Sequence, residues 1–161
     1  MKPKVYIETT IISYLTAWPS LKPVMAGNQE STRSWWDEQR HKFALFVSEV
    51  VIDETSAGDP AASRRRIEAL KDIPVLLVDD SARQLAKDLV NRTPLPEAAR
   101  ADSWHIAAAT VNGMDYLLTW NCRHIANATL RNTMATICEE AGFRMPIICT
   151  PAELIEEHEN D

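Results

Sequence analysis

The chain has 161 residues, with 17 Lys plus Arg against 23 Asp plus Glu, and a formal net charge of −6. That length fits one domain with a sizeable core, while the acidity excludes a protein that wraps nucleic acid by bulk charge. No apolar run approaches the roughly 20 residues of a membrane span, and the opening Met1-Lys2-Pro3-Lys4 lacks a signal-peptide apolar region, so a cytoplasmic protein with no membrane partner is expected.

Residues 5–7 form a short apolar run and read as a buried strand. Residues 9–15 read as a helix turning Ile11, Ile12 and Leu15 inward. Residues 16–28 hold Pro19, Pro23 and Gly27 and read as a loop. A helix is expected over 31–39, a strand over 43–47, and a short helix over 48–54 with Ser48 as its N-cap. Asp59-Pro60 is a cap followed by proline at the first helical position, which predicts a helix to about Lys71. Ile67 and Leu70 would share its inner face, and Arg64, Arg65 and Arg66 its solvated one.

A third strand is expected over 75–78. Asp79-Asp80-Ser81 opens a helix to about Asn91, with Leu85, Ala86 and Leu89 at core spacing. Residues 97–112 read as a long alanine-rich helix ended by Gly113. A strand over 116–119, a helix over 127–141, a strand over 147–149 and a last helix over 151–157 complete the pattern. The domain is placed at 1–155, with a polar tail over 156–161. Strands alternating with helices imply βαβ units and a parallel sheet covered on both faces, hence an α/β fold.

Acids recur where such a fold gathers its strand ends. Glu8 follows the first strand, Glu54 ends the helix after the second, Asp102 lies near the start of the alanine-rich helix, and Asn121 follows the fourth strand. Ligands bind at the carboxyl edge of an open α/β sheet. Carboxylates converging there repel one another unless a divalent cation joins them, which points to a metal-dependent hydrolase of phosphodiesters. Each residue also has a plainer reading. Glu8 is equally a helix-start acid favoured by the helix dipole. Of Glu49, Asp53 and Glu54, only one or two can face the cleft, because consecutive helical residues are about 100° apart. His105 reads first as a buried, hydrogen-bonded histidine, and Asn121 as a turn residue. Cys122, Cys138 and Cys149 lack zinc-ligand spacing and read as reduced thiols. Arg33, Arg40, His41, Lys42 and the run Arg64-Arg65-Arg66 are candidates for a basic rim.

Several stretches, in order, resemble the PIN-domain family and within it the VapC-like toxins of bacterial toxin–antitoxin pairs. They are Tyr6-Ile7-Glu8-Thr9-Thr10 with Ser13-Tyr14-Leu15, then Ser48 to Glu54, then Ala101-Asp102-Ser103-Trp104-His105-Ile106-Ala107-Ala108-Ala109. Leu117-Leu118-Thr119-Trp120-Asn121-Cys122-Arg123-His124-Ile125 and Ile148-Cys149-Thr150-Pro151-Ala152-Glu153-Leu154 complete the set. The resemblance implies a three-layer α/β/α sandwich around a mostly parallel five-stranded sheet. It implies a ribonuclease in which Glu8, Glu54 and Asp102 hold Mg²⁺ or Mn²⁺ and Asn121 stands at the fourth acidic position. Thr9, Thr119 and His105 would support the acids or touch substrate. The family's first position is usually Asp, and its fourth is an acid, so Glu8 and Asn121 are departures that favour a one-metal site or reduced activity. An RNA substrate, a small antitoxin covering the cleft and a homodimer are the implied partners, with Trp35, Trp36 and residues 16–28 as contact surface, although the two tryptophans read first as a local satellite core. Two alternatives stand beside this reading: a PIN-like RNA- or protein-binding module that does not cut, and an α/β phosphatase with an Asp nucleophile. No Asp-x-Asp follows the first strand to support the phosphatase.

Overall fold

Five short strands build one sheet in the order β3-β2-β1-β4-β5, and every neighbouring pair is parallel. The computed structural model describes residues 1–157. Its strands are β1 (Lys4–Ile7), β2 (Ala44–Ser48), β3 (Val75–Leu76), β4 (Tyr116–Leu118) and β5 (Ile147–Cys149). From β1 the chain moves outward to β2 and β3, then crosses back to β4 and moves outward again to β5. The direction of winding therefore reverses between β1 and β4, which places a crevice at their carboxyl ends. Val5, Tyr6, Ile7, Leu117 and Leu118 are fully buried there, as strands covered on both faces must be.

The helices fall into two packed groups. The first holds α1 (Thr9–Thr16), α2 (Pro23–Ser34), α3 (Glu49–Thr55) and α4 (Pro60–Ala69). The second holds α5 (Asp80–Arg92), α6 (Arg100–Val111) and α7 (Arg131–Glu140). Right-handed crossovers put connections running in opposite directions on opposite faces of a parallel sheet, which gives the expected three layers. Three helix starts follow the sequence reading: the Ser48 hydroxyl accepts from Val50 N–H, Asp59 from Ala62 N–H and Asp79 from Ala82 N–H. No helix among the described residues is long and apolar enough to cross a membrane.

Several expectations are corrected. Half of the expected loop over 16–28 is helix, because Pro23 opens α2 at its first position instead of breaking the chain. The Gln29 side chain then pins the preceding segment, donating to Trp18 O and accepting from Ser20 N. The helix expected over 31–39 finishes as a π-helical turn, Trp35–Gln39. This turn puts Trp35 in the core, 1% exposed and stacked on Phe43, which agrees with its core reading and removes it from the contact surface. Trp36 lies under the Arg40 guanidinium, 4.1 Å from its ring centre.

Ile67 stays half-exposed while Leu70 is buried. Arg66 is committed to the carbonyls of Thr55 and Ala57, joining α4 to the end of α3 while still partly exposed. The long helix over 97–112 is a 3-10 turn followed by α6. The helix over 127–141 starts late, because Asn127 Oδ1 takes the Thr129 N–H and hydroxyl in a turn. Residues 151–157 form no helix. The carbonyl of Leu154 accepts from Trp35 Nε1, that of Glu156 from Lys42 Nζ, and Glu156 N–H donates to Gln39. Tertiary partners thus take the groups a helix would have used. Of the expected tail, residues 158–161 lie outside the described residues.

Candidate active site

Glu8 emerges from the carboxyl end of β1, directly beside β4. Its backbone N–H continues the ladder to Leu118 O at 3.1 Å, so the sheet itself fixes the residue. Glu8 caps α1, accepting from Thr10 N at 3.1 Å, and the side chain is buried, with 2% exposure. The hydroxyls of Thr10 and Thr119 donate to the same oxygen, Oε2, that from Thr119 at 2.8 Å. Glu8 is therefore a helix-start acid and a crevice carboxylate at once. Burial pushes its carboxyl above the usual range, against the opposing pull of the hydrogen bonds from Thr10 and Thr119.

His105 joins Glu8 to Glu54. Its Nε2 lies 2.5 Å from Glu54 Oε1 and 4.0 Å from Glu8 Oε1. Its Nδ1 lies 2.7 Å from the Tyr6 hydroxyl, which lies 2.7 Å from Ser48 Oγ. Donors and acceptors balance along this buried chain when the imidazole is neutral with its proton on Nε2. Val50 N–H donates to Ser48, Ser48 to Tyr6, Tyr6 to His105, and His105 to Glu54. The histidine is thus satisfied and fully buried. Burial holds the Tyr6 phenol far above its ordinary pKa, so it stays a neutral donor. Of the three acids on α3, Glu54 meets the histidine, while Glu49 and Asp53 flank it around a shallow depression.

Asp102 sits in the first turn of α6, one turn before His105. His124 Nδ1 lies 2.9 Å from its Oδ2. The backbone N–H of His124 donates to Asn121 Oδ1 at 3.0 Å, and Asn121 N–H donates to Thr119 Oγ1 at 2.9 Å. A ring closes: Glu8, Thr119, Asn121, His124, Asp102, one turn of α6, His105, and back to Glu8 with Glu54. Asn121 is a turn residue whose carboxamide oxygen is spent on the backbone. Thr10, not Thr9, supplies the second hydroxyl to Glu8, and Thr9 Oγ1 is buried without a hydrogen-bond partner among the described residues.

Each of the three carboxylates has one oxygen tied by a neighbour: Glu8 Oε2, Glu54 Oε1 and Asp102 Oδ2. Their hydrogen bonds leave the other three oxygens uncommitted. Such an all-oxygen, anionic set suits a hard divalent cation such as Mg²⁺ or Mn²⁺. Among the described residues, however, no group of three or more His, Cys, Asp or Glu side chains stands close enough to hold a metal ion as placed.

Known structures share this architecture. A chain of the VapBC2 structure from Rickettsia felis, solved bound to a DNA fragment from their promoter, matches with a TM-score of 0.59 at 9% identity. The match covers 91% of this chain and 98% of that one. Mycobacterium tuberculosis VapC20, a Sarcin-Ricin loop cleaving toxin, matches with a TM-score of 0.58 at 15% identity, over 77% of this chain and 95% of that one. The chain has the PIN-domain, VapC-like fold. No protein-family model and no curated protein sequence matches it.

Within this VapC-like fold, sequence reasoning missed the residues that orient the acids. His124 had a signal: it lies three residues beyond Asn121 in a loop leaving a strand end. Tyr6 had another, since a tyrosine in a doubly covered strand must find a partner for its hydroxyl. Ser48 was legible only as a cap, and its second duty toward Tyr6 depends on the pairing of β1 with β2.

Proposed function

We propose that this chain is a metal-dependent endoribonuclease, the toxin of a VapBC-type toxin–antitoxin pair. The observation that carries the reading is the set of three carboxylates at the reversal of the sheet, each anchored through one oxygen and uncommitted at the other. Glu8, Glu54 and Asp102 are the residues that would hold Mg²⁺ or Mn²⁺. A bound ion would supply Lewis acidity, lowering the pKa of water and offsetting charge on the phosphodiester. The protein's own part is orientation: Thr10 and Thr119 hold Glu8, the Ser48-Tyr6-His105 chain holds Glu54, and His124 holds Asp102. The Asn121 carboxamide N–H₂ remains free to donate to a phosphate oxygen or to the attacking water. A 1–155 domain in the cytoplasm, acting on RNA and restrained by a small antitoxin, fits this reading. So does a homodimer.

The test is a calorimetric titration of Mn²⁺ into the purified chain and into Asp102→Asn, followed by RNA cleavage. Binding lost in the variant supports the site; equal affinity in a folded Asp102→Asn protein overturns it.

One observation favours a second reading, a PIN-like RNA- or protein-binding module with weak or no nuclease activity. Asn121 is neutral and its oxygen is committed to His124, so the fourth position contributes no charge. RNA affinity without cleavage at saturating Mn²⁺ would select it.

A further inference from the structure

The indole of Trp104 divides two depressions beside the candidate site. One, of about 290 Å³, is bounded by Glu54, Glu49, Asp53, Val78 and Arg83 among others, so it reaches one of the three site acids. The other, of about 320 Å³, lies between α5 and α6 and is lined by Lys87, Val90, Asn91, Arg100 and Ser103. Among the described residues no carboxylate lines this second depression, although the chain as a whole is acidic. Lys87 makes no ion pair among the described residues, and Arg100 reaches only Glu97, at 3.4 Å with both side chains exposed, a contact worth little. Trp104 is half-buried, and its indole N–H donates to no group among the described residues. It follows Asp102 by two residues and precedes His105 by one, so α6 holds it in fixed relation to the acids.

We infer that Trp104 is a base-stacking platform and that the α5–α6 depression takes one nucleotide of single-stranded RNA flanking the scissile phosphodiester, with Lys87 and Arg100 on its phosphate. The assignment rests on the ribonuclease reading and adds its substrate contacts. An aromatic face flanked by cations binds any unpaired base by stacking and its backbone by charge. A duplex keeps its bases inside and offers Trp104 no face, so the site selects single strands. Trp104 thereby fixes the strand's register relative to Glu8, Glu54 and Asp102, which is a positioning role.

The test is fluorescence anisotropy of a short end-labelled single-stranded RNA with the full chain in Ca²⁺, over a series of salt concentrations. Trp104→Leu stays apolar and loses the aromatic face; it is expected to weaken binding about tenfold, whereas Trp104→Phe stays within about threefold. The pair Lys87→Gln with Arg100→Gln is expected to flatten the slope of log affinity on log salt by about 0.7 per cation. Mn²⁺ titration of Trp104→Leu should match the parent chain. Unchanged RNA affinity in Trp104→Leu and an unchanged salt slope in the double variant overturn the inference while leaving the nuclease reading intact. A parent chain that binds neither Mn²⁺ nor RNA overturns both.

Discussion

His124 Nδ1 lies 2.9 Å from Asp102 Oδ2, although the two residues are 22 apart in sequence, one on α6 and one in the loop after β4. The contact fixes which oxygen of Asp102 faces away from its neighbour. Partners that orient metal-holding carboxylates are typically worth about 10–100-fold in metal affinity. His124→Ala is therefore expected to weaken Mn²⁺ binding by about tenfold with little change in melting temperature. Calorimetry and a thermal scan on the same preparation check this, and full Mn²⁺ affinity in the variant would remove His124 from the site.

Glu8 carries a pH prediction. Burial raises its carboxyl in the folded protein above the unfolded value, so the folded state holds the proton more tightly. Its contribution to stability is complete below the unfolded pKa and is lost as pH climbs through the raised folded value. Without divalent cations, Glu8→Gln should flatten the fall of melting temperature between acid and neutral pH and match or exceed the parent's stability at pH 7. Added Mn²⁺ should stabilise the parent but not the variant. A variant that keeps the parental pH slope contradicts this account.

Tyr6→Phe removes the central hydroxyl of the buried chain. Ser48 Oγ loses its acceptor and His105 Nδ1 its donor, both out of water. The expected loss is about 1–3 kcal/mol for each buried group left unsatisfied, measured by urea denaturation. Glu54 should also lose its fixed orientation, so Mn²⁺ affinity should fall beyond what destabilisation alone causes. A Tyr6→Phe chain as stable as the parent would show that the buried network has another way to satisfy itself.

Asn121→Asp keeps an oxygen to accept from His124 N–H and adds a charge beside the acids. The expected result is tighter Mn²⁺ binding and faster RNA cleavage, measured on the same RNA for both chains. Loss of cleavage would mean that the carboxamide N–H₂ is needed as a donor.

Much of the fold was legible because doubly covered parallel strands are plainly apolar and caps such as Ser48, Asp59 and Asp79 announce helix starts. The misreadings have two causes. Pro23 and Asn127 each carry a local signal with two outcomes, a break or a helix start for one and a helix or a turn for the other. Residues 154–156 were judged by local signals, while Trp35 and Lys42 decided them from a distance. At the site, Glu8, Glu54, His105 and Thr119 meet, and Asp102 is joined to them through His124 and Asn121, because strand ends and helix starts have predictable places. Which neighbour each one touches was not legible. Thr10 and Thr9 are adjacent in sequence, yet only helix geometry decides which hydroxyl reaches Glu8, and His124 reaches Asp102 only through the curl of a loop.

The ring of contacts also has a consequence for synthesis on the ribosome. Glu8 is made early, but its partner Thr119 is 111 residues downstream, and Tyr6 waits 99 residues for His105. The central strand β1 lacks its β4 neighbour for most of translation. A nascent chain therefore carries no assembled carboxylate cluster until His124 has left the exit tunnel, so whatever chemistry the cluster performs is withheld from the machinery making it.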